Sequence, residues 1–347
     1  MRVVEIRDPT DARSIERFHQ VAASVYRDDP VWVPQSERMF TQRFRQSQAP
    51  AAGLWVPVIA LQDDRPLARA VAILAPGACD KAGRPQGWIG FVECLQNRPD
   101  AARCVLERCE QRLRQAGARS ILLPKADNQL VGLLVEGFSL PHLVFTHHNP
   151  PYYLELFKGC GYRVQTNIYT LHFTRETAEQ VHVRLPGFTT REFDRSNLAQ
   201  EIATFHELQQ AIFGSRPGYL RRTLEQDRAL VESFLPFMQD DLVIVAEDDA
   251  GNPVGLLVCL PDLYQAFRGE PTTRARIVSI GAIPRLAYRG GIGALMGAHL
   301  MANLLRNPDY DFVEGSWVLG WNRSPRNLAR RFHAKPGREF ALLEKKV

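Results

Sequence analysis

The predicted strands and helices follow the same order twice along the chain. In each half a hairpin leads to an apolar strand, then a helix, then another strand, which is the pattern of an α/β fold. In the first half the hairpin and strands are WVPVIALQ, PLARAVAIL, GWIGFVECL and SILLP. In the second half they are LVIVAED, NPVGLLVCL, ARIVSIGAI and residues 312–319. Because 347 residues exceed the size that one core usually serves, the sequence predicts two copies of one fold.

A polar stretch is expected to join the two halves. Residues near 175–190 are polar and end in Leu185-Pro186-Gly187, which is typical of a linker. We therefore expect a first domain at residues 1–178, a linker at 179–190 and a second domain at 191–347.

Composition and charge argue against several classes of protein. The formal net charge of +5 comes from scattered arginines, and no recognition motif accompanies it, so we expect no nucleic-acid partner. The six cysteines show no CxxC spacing, which favours a reducing cytoplasm. The N-terminus has no signal-peptide core and no run approaches about 20 apolar residues, so membrane contact is expected to be peripheral at most.

A glycine-rich turn, YRGGIG at residues 288–293, joins the strand ARIVSIGAI to the next helix. The unpaired N–H groups of such a turn and of the first helical turn point to one place, where the helix dipole adds positive potential. The pyrophosphate of a nucleotide or of coenzyme A is the expected ligand. The alternative is a tight turn in which glycine only relieves crowding. A dinucleotide-binding GxGxxG motif is disfavoured, because the third glycine is missing.

At this turn the sequence resembles the GNAT superfamily of acyltransferases. The cofactor motif of that family is Arg or Gln, two residues, Gly, one residue, then Gly or Ala, after the fourth strand. Here one residue is missing between Arg289 and Gly291, so Tyr288 occupies the first position. The chain is also similar to a bacterial family of tandem GNAT-like proteins whose substrates are largely unassigned. The segments that carry this similarity are GWIGFVE, GLLVEGF, NPPYYLELFKGCGY, GSWVLGWN and FALLEK.

The resemblance implies two tandem GNAT-like domains, each a mixed, mostly antiparallel sheet flanked by helices. It also implies that the second domain binds acyl-CoA as a substrate, with no metal. The residues expected to contact coenzyme A are Ile280, Ala282, Ile283, Tyr288, Arg289, Gly290, Gly291, Ile292, Gly293, Ala294 and Asn322. The corresponding turn of the first half, residues 96–100, contains no glycine. We therefore expect that half to be a degenerate copy that does not bind coenzyme A.

Acyl transfer to an amine needs a group that removes a proton from the amine and benefits from one that protonates the leaving thiolate. Glu314 lies on the strand that flanks the thioester in a GNAT fold and is the first candidate for the base; the alternative is an outward-facing edge charge. Glu93 and Glu136 stand among apolar residues, where a carboxylate is either paired or functional. His148 and Tyr153 lie close to a predicted helix start, where a packed, hydrogen-bonded loop is the alternative.

The sequence thus predicts an N-acyltransferase that moves an acyl group, acetyl or longer, from acyl-CoA to a small-molecule amine. Strand N–H groups near residues 278–281 are expected to stabilise the tetrahedral intermediate. One alternative is long-chain acyl transfer to a lipid-like amine, and another is a non-catalytic protein that binds coenzyme A or serves as a scaffold. A metal site at residues 147–148 is disfavoured, because adjacent histidines cannot easily face one ion.

Overall fold

The computed structural model of the chain divides into two compact units. The structure describes residues 1–179, 181–216, 219–287, 291–320, 327, 330 and 332–347. Unit 1 comprises residues 1–142, 146–167 and 340–347, and unit 2 comprises residues 143–145 and 168–339. The units differ from the predicted domains in the assignment of residues 143–145, 168–178 and 340–347.

Unit 1 begins with a strand and a helix and continues through a hairpin. Its strands are β1 (Arg2–Glu5), β2 (Leu54–Gln62), β3 (Arg65–Leu74), β4 (Gln86–Cys94), β5 (Ser120–Leu123) and β6 (Leu133–Glu136). Its helices are α1 (Ala12–Val25), α2 (Glu37–Gln46), α3 (Pro99–Gln115) and α4 (Tyr153–Gly159). Two further strands have residues in both units, namely β7 (Arg163–Thr174) and β13 (Lys335–Lys346).

The sheet of unit 1 has the strand order β1-β2-β3-β4-β5-β13. Strands β4 and β5 are parallel, and the other neighbours in this order are antiparallel. Asp63 and Asp64 form the turn between β2 and β3 with φ of 48° and 65°, which suits the twist of a two-residue hairpin. Helix α3 starts at Pro99, and its apolar face buries Val105 and Cys109 in the core of the unit.

Unit 2 repeats this order of elements. Its other strands are β8 (Phe188–Glu192), β9 (Val243–Asp248), β10 (Pro253–Pro261), β11 (Arg274–Ala282) and β12 (Phe312–Leu319). Its helices are α5 (Arg175–Glu179), α6 (Leu198–Phe213), α7 (Leu224–Phe234), α8 (Leu263–Phe267), α9 (Pro284–Ala287) and α10 (Gly291–Arg306).

The sheet of unit 2 has the strand order β7-β12-β11-β10-β9-β8, in which β11 and β12 are the parallel pair. One face packs against α10 through residues such as Met296, and the other packs against α6 and α7 through residues such as Leu208. A Cβ atom added at Gly281 would lie 2.4 Å from Cγ2 of Ile212. Glycine at this position therefore allows α6 to lie close to β11.

Both predicted hairpins, the apolar strands after them and the helices that follow are confirmed. The stretch expected to be a linker begins with the short helix α5, whose Ala178 is buried in the core beside α10. Within the described ranges, we find no helix with the length and apolar character needed to cross a membrane.

Candidate functional site

In unit 2 the parallel strands β11 and β12 separate part of the way along. Their paired stretch ends at Ile277 and Gly315. The pairing of β11 with β10 shifts at the next residue, Val278, and the pairing of β12 with β7 shifts after Gly315. Such bulges bend a strand and increase its twist. We call the gap beyond this point, between residues 278–282 and 316–319, the fork of unit 2.

The edge of β11 at this fork is accessible. Residues 278–283 are all half-buried, although β11 lies inside its sheet and helices pack on both of its faces. In unit 1 the corresponding strand β4 has eight of its nine residues buried, the exception being Phe91. The two copies of the fold therefore differ at the same place, with an open fork in unit 2 and a closed one in unit 1.

Nine of the eleven predicted cofactor-binding residues fall into three groups. Three of them are half-buried at the end of β11 or just after it: Ile280, Ala282 and Ile283. Two are buried in the first turn of α10: Ile292 and Ala294. Four lie outside the described residues: Tyr288, Arg289, Gly290 and Asn322.

The two remaining glycines of the turn have different surroundings. A Cβ atom added at Gly291 would lie 2.9 Å from Cδ1 of Leu185, so this glycine makes room for a packed side chain. At Gly293 an added Cβ atom would meet nothing within 4 Å. The first turn of α10 thus has open space at Gly293, where the positive end of the helix dipole lies.

Glu314 is fully buried on β12, and basic side chains surround its carboxylate. Arg338 Nη2 donates to its two oxygens at 2.7 Å and 2.6 Å, and Arg338 Nε donates at 3.1 Å. His172 Nε2 lies 3.1 Å from Oε2, and Arg276 Nε lies 4.0 Å from Oε1. Because Glu314 has an exposed fraction of 0%, the alternative of an outward-facing edge charge is wrong.

The electrostatics of this cluster disfavour proton uptake by Glu314. Burial acts to raise the pKa of Glu314, but Arg338, His172 and Arg276 lower it to about 2. Burial lowers the pKa of Arg276 to about 10, against the raising effect of Glu314. A carboxylate with so low a pKa is a weak base at neutral pH. The general-base role of Glu314 stays a prediction, and this geometry favours a structural role.

Arg276 contacts several chain segments at the point where β11 and β12 separate. Its Nε donates to Ser316 Oγ at 2.6 Å, and its Nη1 donates to the carbonyl oxygen of Val144 at 2.6 Å. Its guanidinium carbon lies 4.9 Å from the ring centroid of Trp317, which is within the range of a cation–π contact. These contacts hold β12 where it leaves β11.

The face of β11 that carries Ser279 lies against α6 and is mostly apolar. On this face the buried side chains of the sheet and of α6 and α7, such as Leu208 and Val245, form a hydrophobic core. Eight partly buried hydrophobic side chains pack against this core, and we call them the apolar wall: Phe145, Leu198, Phe205, Phe213, Phe234, Leu235, Val278 and Ile283. Polar groups also occur on this face. Gln209 Nε2 donates to Ser279 Oγ at 2.9 Å, and Tyr219 Oη donates to Gln209 Oε1 at 3.5 Å.

In unit 1 the side chains of Tyr152 and Tyr153 lie against the end of β4, the strand that corresponds to β11. Tyr153 Oη accepts a hydrogen bond from the N–H of Cys94 at 2.8 Å and donates to Glu93 Oε2 at 2.6 Å. Tyr152 Oη donates to the carbonyl oxygen of Cys94 at 2.7 Å. Both backbone groups at the end of β4 are therefore satisfied by side chains of the same unit. This arrangement supports the expectation that the first half binds no coenzyme A.

The structure brings two of the predicted catalytic candidates, Glu93 and Tyr153, together in unit 1. Tyr26 Oη donates to Glu93 Oε2 at 2.9 Å and is also 2.8 Å from the carbonyl oxygen of His148. Arg69 Nη2 lies 3.9 Å from Glu93 Oε1, and Tyr153 donates to the same carboxylate. Burial raises the pKa of Glu93, against the lowering effect of Arg69 and the two phenols. Glu93 is thus paired, which is one of the two alternatives predicted for it.

The other candidates in unit 1 lie apart from this carboxylate or at the surface. His148 Nε2 is 2.6 Å from Asp29 Oδ2, and Glu136 is exposed at the end of β6. Among the described residues, no group of three or more His, Cys, Asp or Glu side chains is arranged to hold a metal ion.

Sequence reasoning missed Arg276, Arg338, Ser279 and Gln209. Arg276 carries a signal that was available, because a charged residue inside the apolar segment ARIVSIGAI needs a partner if it is buried. The partner could not be named, since Glu314 meets Arg276 only through the register of two strands. Ser279 and Gln209 carry no comparable signal.

Comparisons with known proteins agree with this architecture. No protein-family model matches the chain. It is 21% identical to Protein YghO of Escherichia coli strain K12, over 99% of this chain and 95% of that protein. It is also 21% identical to a bacterial ceramide synthase of Caulobacter vibrioides, over 99% of this chain and 97% of that one. A tandem GNAT protein from the clavulanic acid biosynthesis pathway superposes with a TM-score of 0.63 at 13% identity, covering 99% and 98% of the two chains. The predicted fold class is confirmed.

Proposed function

We propose, from the tandem GNAT fold that this chain has, that the protein is an N-acyltransferase and that unit 2 binds its acyl-CoA. The observation that carries the proposal is the open fork of unit 2. There residues 278–283 remain half-buried, and the strand leads on to the N-terminus of α10. In unit 1 the equivalent strand β4 is buried, and the backbone N–H and C=O of its last residue, Cys94, are hydrogen-bonded to the hydroxyls of Tyr153 and Tyr152.

The fork offers the two kinds of group that coenzyme A requires. An unpaired strand edge exposes N–H and C=O groups that can pair with the amides of the pantetheine arm, as in the addition of a strand to a sheet. The first turn of α10 offers N–H groups and the positive end of a 16-residue helix for the pyrophosphate. Gly293 leaves space for that approach.

The apolar wall supports a finer proposal, that the acyl chain is long and the acceptor is a lipid-like amine. The apolar wall has eight partly buried hydrophobic side chains, of which Val278 and Ile283 lie at the fork, and it offers surface that a hydrocarbon chain can cover. A small polar amine would gain little from such surface. The relative named bacterial ceramide synthase supports the same proposal, because a ceramide is an amide of a fatty acid and a long-chain amino alcohol.

The amine must lose a proton before it attacks the thioester, since an amine with a pKa near that of lysine is almost wholly protonated at neutral pH. Direct transfer to Glu314 is disfavoured by its bonds to Arg338 and its pKa of about 2. We propose that the proton leaves to water in the open fork, and that Glu314 holds Arg338 and Arg276 in place. Strand N–H groups of residues 278–281 would then stabilise the oxyanion.

A panel of acyl-CoA donors and amines with detection of the free thiol tests this proposal. The full chain would be mixed with acetyl-CoA or palmitoyl-CoA and with a short alkylamine or a long-chain 2-amino alcohol. We expect the fastest thiol release from palmitoyl-CoA with the amino alcohol. Faster release with acetyl-CoA and the short amine would contradict the lipid-like assignment. Calorimetric binding of coenzyme A without thiol release from any pair would support a non-catalytic protein instead.

A further inference from the structure

We propose that the hydroxyl of Ser279 donates a hydrogen bond to the thioester carbonyl oxygen of the acyl donor, and that this hydrogen bond becomes stronger as the oxygen becomes negative. This inference rests on the proposed function, because it places the acyl group in the fork of unit 2. Ser279 follows the bulge residue Val278 at the point where β11 leaves β12, and it is half-buried.

The hydrogen bonds around Ser279 fix the role of its hydroxyl. Gln209 is 6% exposed, and its Nε2 donates to Ser279 Oγ at 2.9 Å. Tyr219 Oη donates to Gln209 Oε1, which sets the orientation of the amide. Since the oxygen of Ser279 already accepts, its hydrogen remains to be donated. Among the described residues, no acceptor for that hydrogen is found, so an oxygen in the fork can receive it.

The length of the cofactor arm places the reacting carbon near Ser279. From residue 283 to residue 279 the strand runs four residues, about 13 Å at roughly 3.3 Å per residue. The pantetheine arm has about twelve bonds between its phosphate oxygen and its sulfur, and at about 1.2 Å per bond in an extended chain it spans about 14 Å. With the pyrophosphate at α10, beyond the end of β11, the thioester therefore reaches the level of Ser279.

The step itself leaves Ser279 unchanged. The neutral amine nitrogen attacks the carbonyl carbon, a C–N bond forms, and the carbonyl electrons move to the oxygen that Ser279 contacts. The nitrogen, which became positively charged on attack, releases one proton to water. The C–S bond then breaks, the carbonyl re-forms, and the thiolate leaves with the electron pair and takes up a proton from water. A donor aimed at the position of the oxyanion lowers the barrier, because its bond is stronger in the transition state than in the bound thioester.

The test is the substitution Ser279→Ala in the full chain, with palmitoyl-CoA and a long-chain 2-amino alcohol. We expect kcat to fall about tenfold to a hundredfold, while the KM for the donor and the calorimetric affinity for coenzyme A stay within about twofold. Ser279→Thr keeps the hydroxyl and should recover most of the rate. Ser233→Ala, which removes an exposed hydroxyl on α7, is the matched control and should be unchanged.

A second variant tests the same inference without removing the hydroxyl. Gln209→Glu offers Ser279 an acceptor in place of a donor, so the hydroxyl should turn to the new carboxylate and kcat should fall about as far as in Ser279→Ala. Unchanged kcat in Ser279→Ala, with an active wild type, would overturn this inference and leave the proposed function standing. A wild-type chain that binds coenzyme A but releases no thiol would contradict the proposed function as well.

Discussion

Replacing Glu314 with glutamine is expected to destabilise unit 2 by about 3 kcal/mol at neutral pH. The carboxylate is fully buried and accepts hydrogen bonds from Arg338, and Arg276 lies 4.0 Å away. Glutamine keeps the size of the side chain but removes the negative charge. Arg338 and Arg276, which are both buried, would then lose the negative charge of Glu314, and breaking a buried ion pair is among the costliest changes that a core can undergo.

The magnitude follows from the acidity of the carboxyl group. A pKa that falls from 4.5 to about 2 on folding corresponds to about 3 kcal/mol, at roughly 1.4 kcal/mol for each tenfold change in acidity. Because the pKa of the folded state is lowered, the stabilisation is present above pH 4.5 and is lost as the pH falls through about 2. If the 347 residues unfold together, the melting temperature should fall by about 4 °C.

Urea unfolding of the full chain at pH 7 and pH 5 measures this difference, with Glu136→Gln as the matched control, since Glu136 is exposed. We expect a similar loss of unfolding free energy in Glu314→Gln at both pH values and almost none in the control. A Glu314→Gln protein that unfolds like the wild type but has lost its turnover would refute this reasoning. The carboxylate would then act as the base that the sequence suggested.

Two further predictions concern the cofactor turn and the pH dependence of unit 1. Gly293→Asp should lower the calorimetric affinity for coenzyme A about tenfold or more, because its carboxylate repels the pyrophosphate, whereas Gly293→Ala should bind normally, since an added Cβ meets no atom within 4 Å. Equal binding by both variants would place the pyrophosphate elsewhere. Burial lowers the pKa of His147 to about 4, so its contribution to stability is present above pH 6.5 and is lost as the pH falls through about 4. The urea midpoint of His147→Asn should therefore depend less on pH in that window than that of the wild type, and identical profiles would contradict this assignment.

Much of the fold could be predicted because its signals are local. The turn at Asp63 and Asp64, the proline at the start of α3 and the apolar face of α10 each lie within a few residues of the element that they define. The assignment of residues 143–145 to unit 2 and of residues 340–347 to unit 1 was not predicted. It depends on contacts between distant parts of the chain, which local patterns do not contain.

The candidate site was predictable in its location but less so in its chemistry. The glycine turn and the strand before it marked the fork, since a strand followed by a glycine-rich turn and a helix has a recognisable sequence. The separation of β11 from β12 and the bulge at Val278 arise from strand pairing, which local patterns do not contain. The environment of Glu314 depends on Arg338, which approaches it from another strand. The sequence therefore identified Glu314 as a single carboxylate in an apolar segment, but it did not identify Arg338 as its partner.

Hydrogen–deuterium exchange of the full chain, with and without saturating palmitoyl-CoA, tests the central claim most directly. The claim is that the fork of unit 2 holds the acyl-CoA and that unit 1 does not. Amide exchange reports on hydrogen bonding and local opening of each segment. We expect slower exchange in residues 278–283 and 291–296 when the ligand is present, and no change in residues 89–98. Protection confined to residues 89–98, or an absence of protection across residues 278–296, would contradict the account.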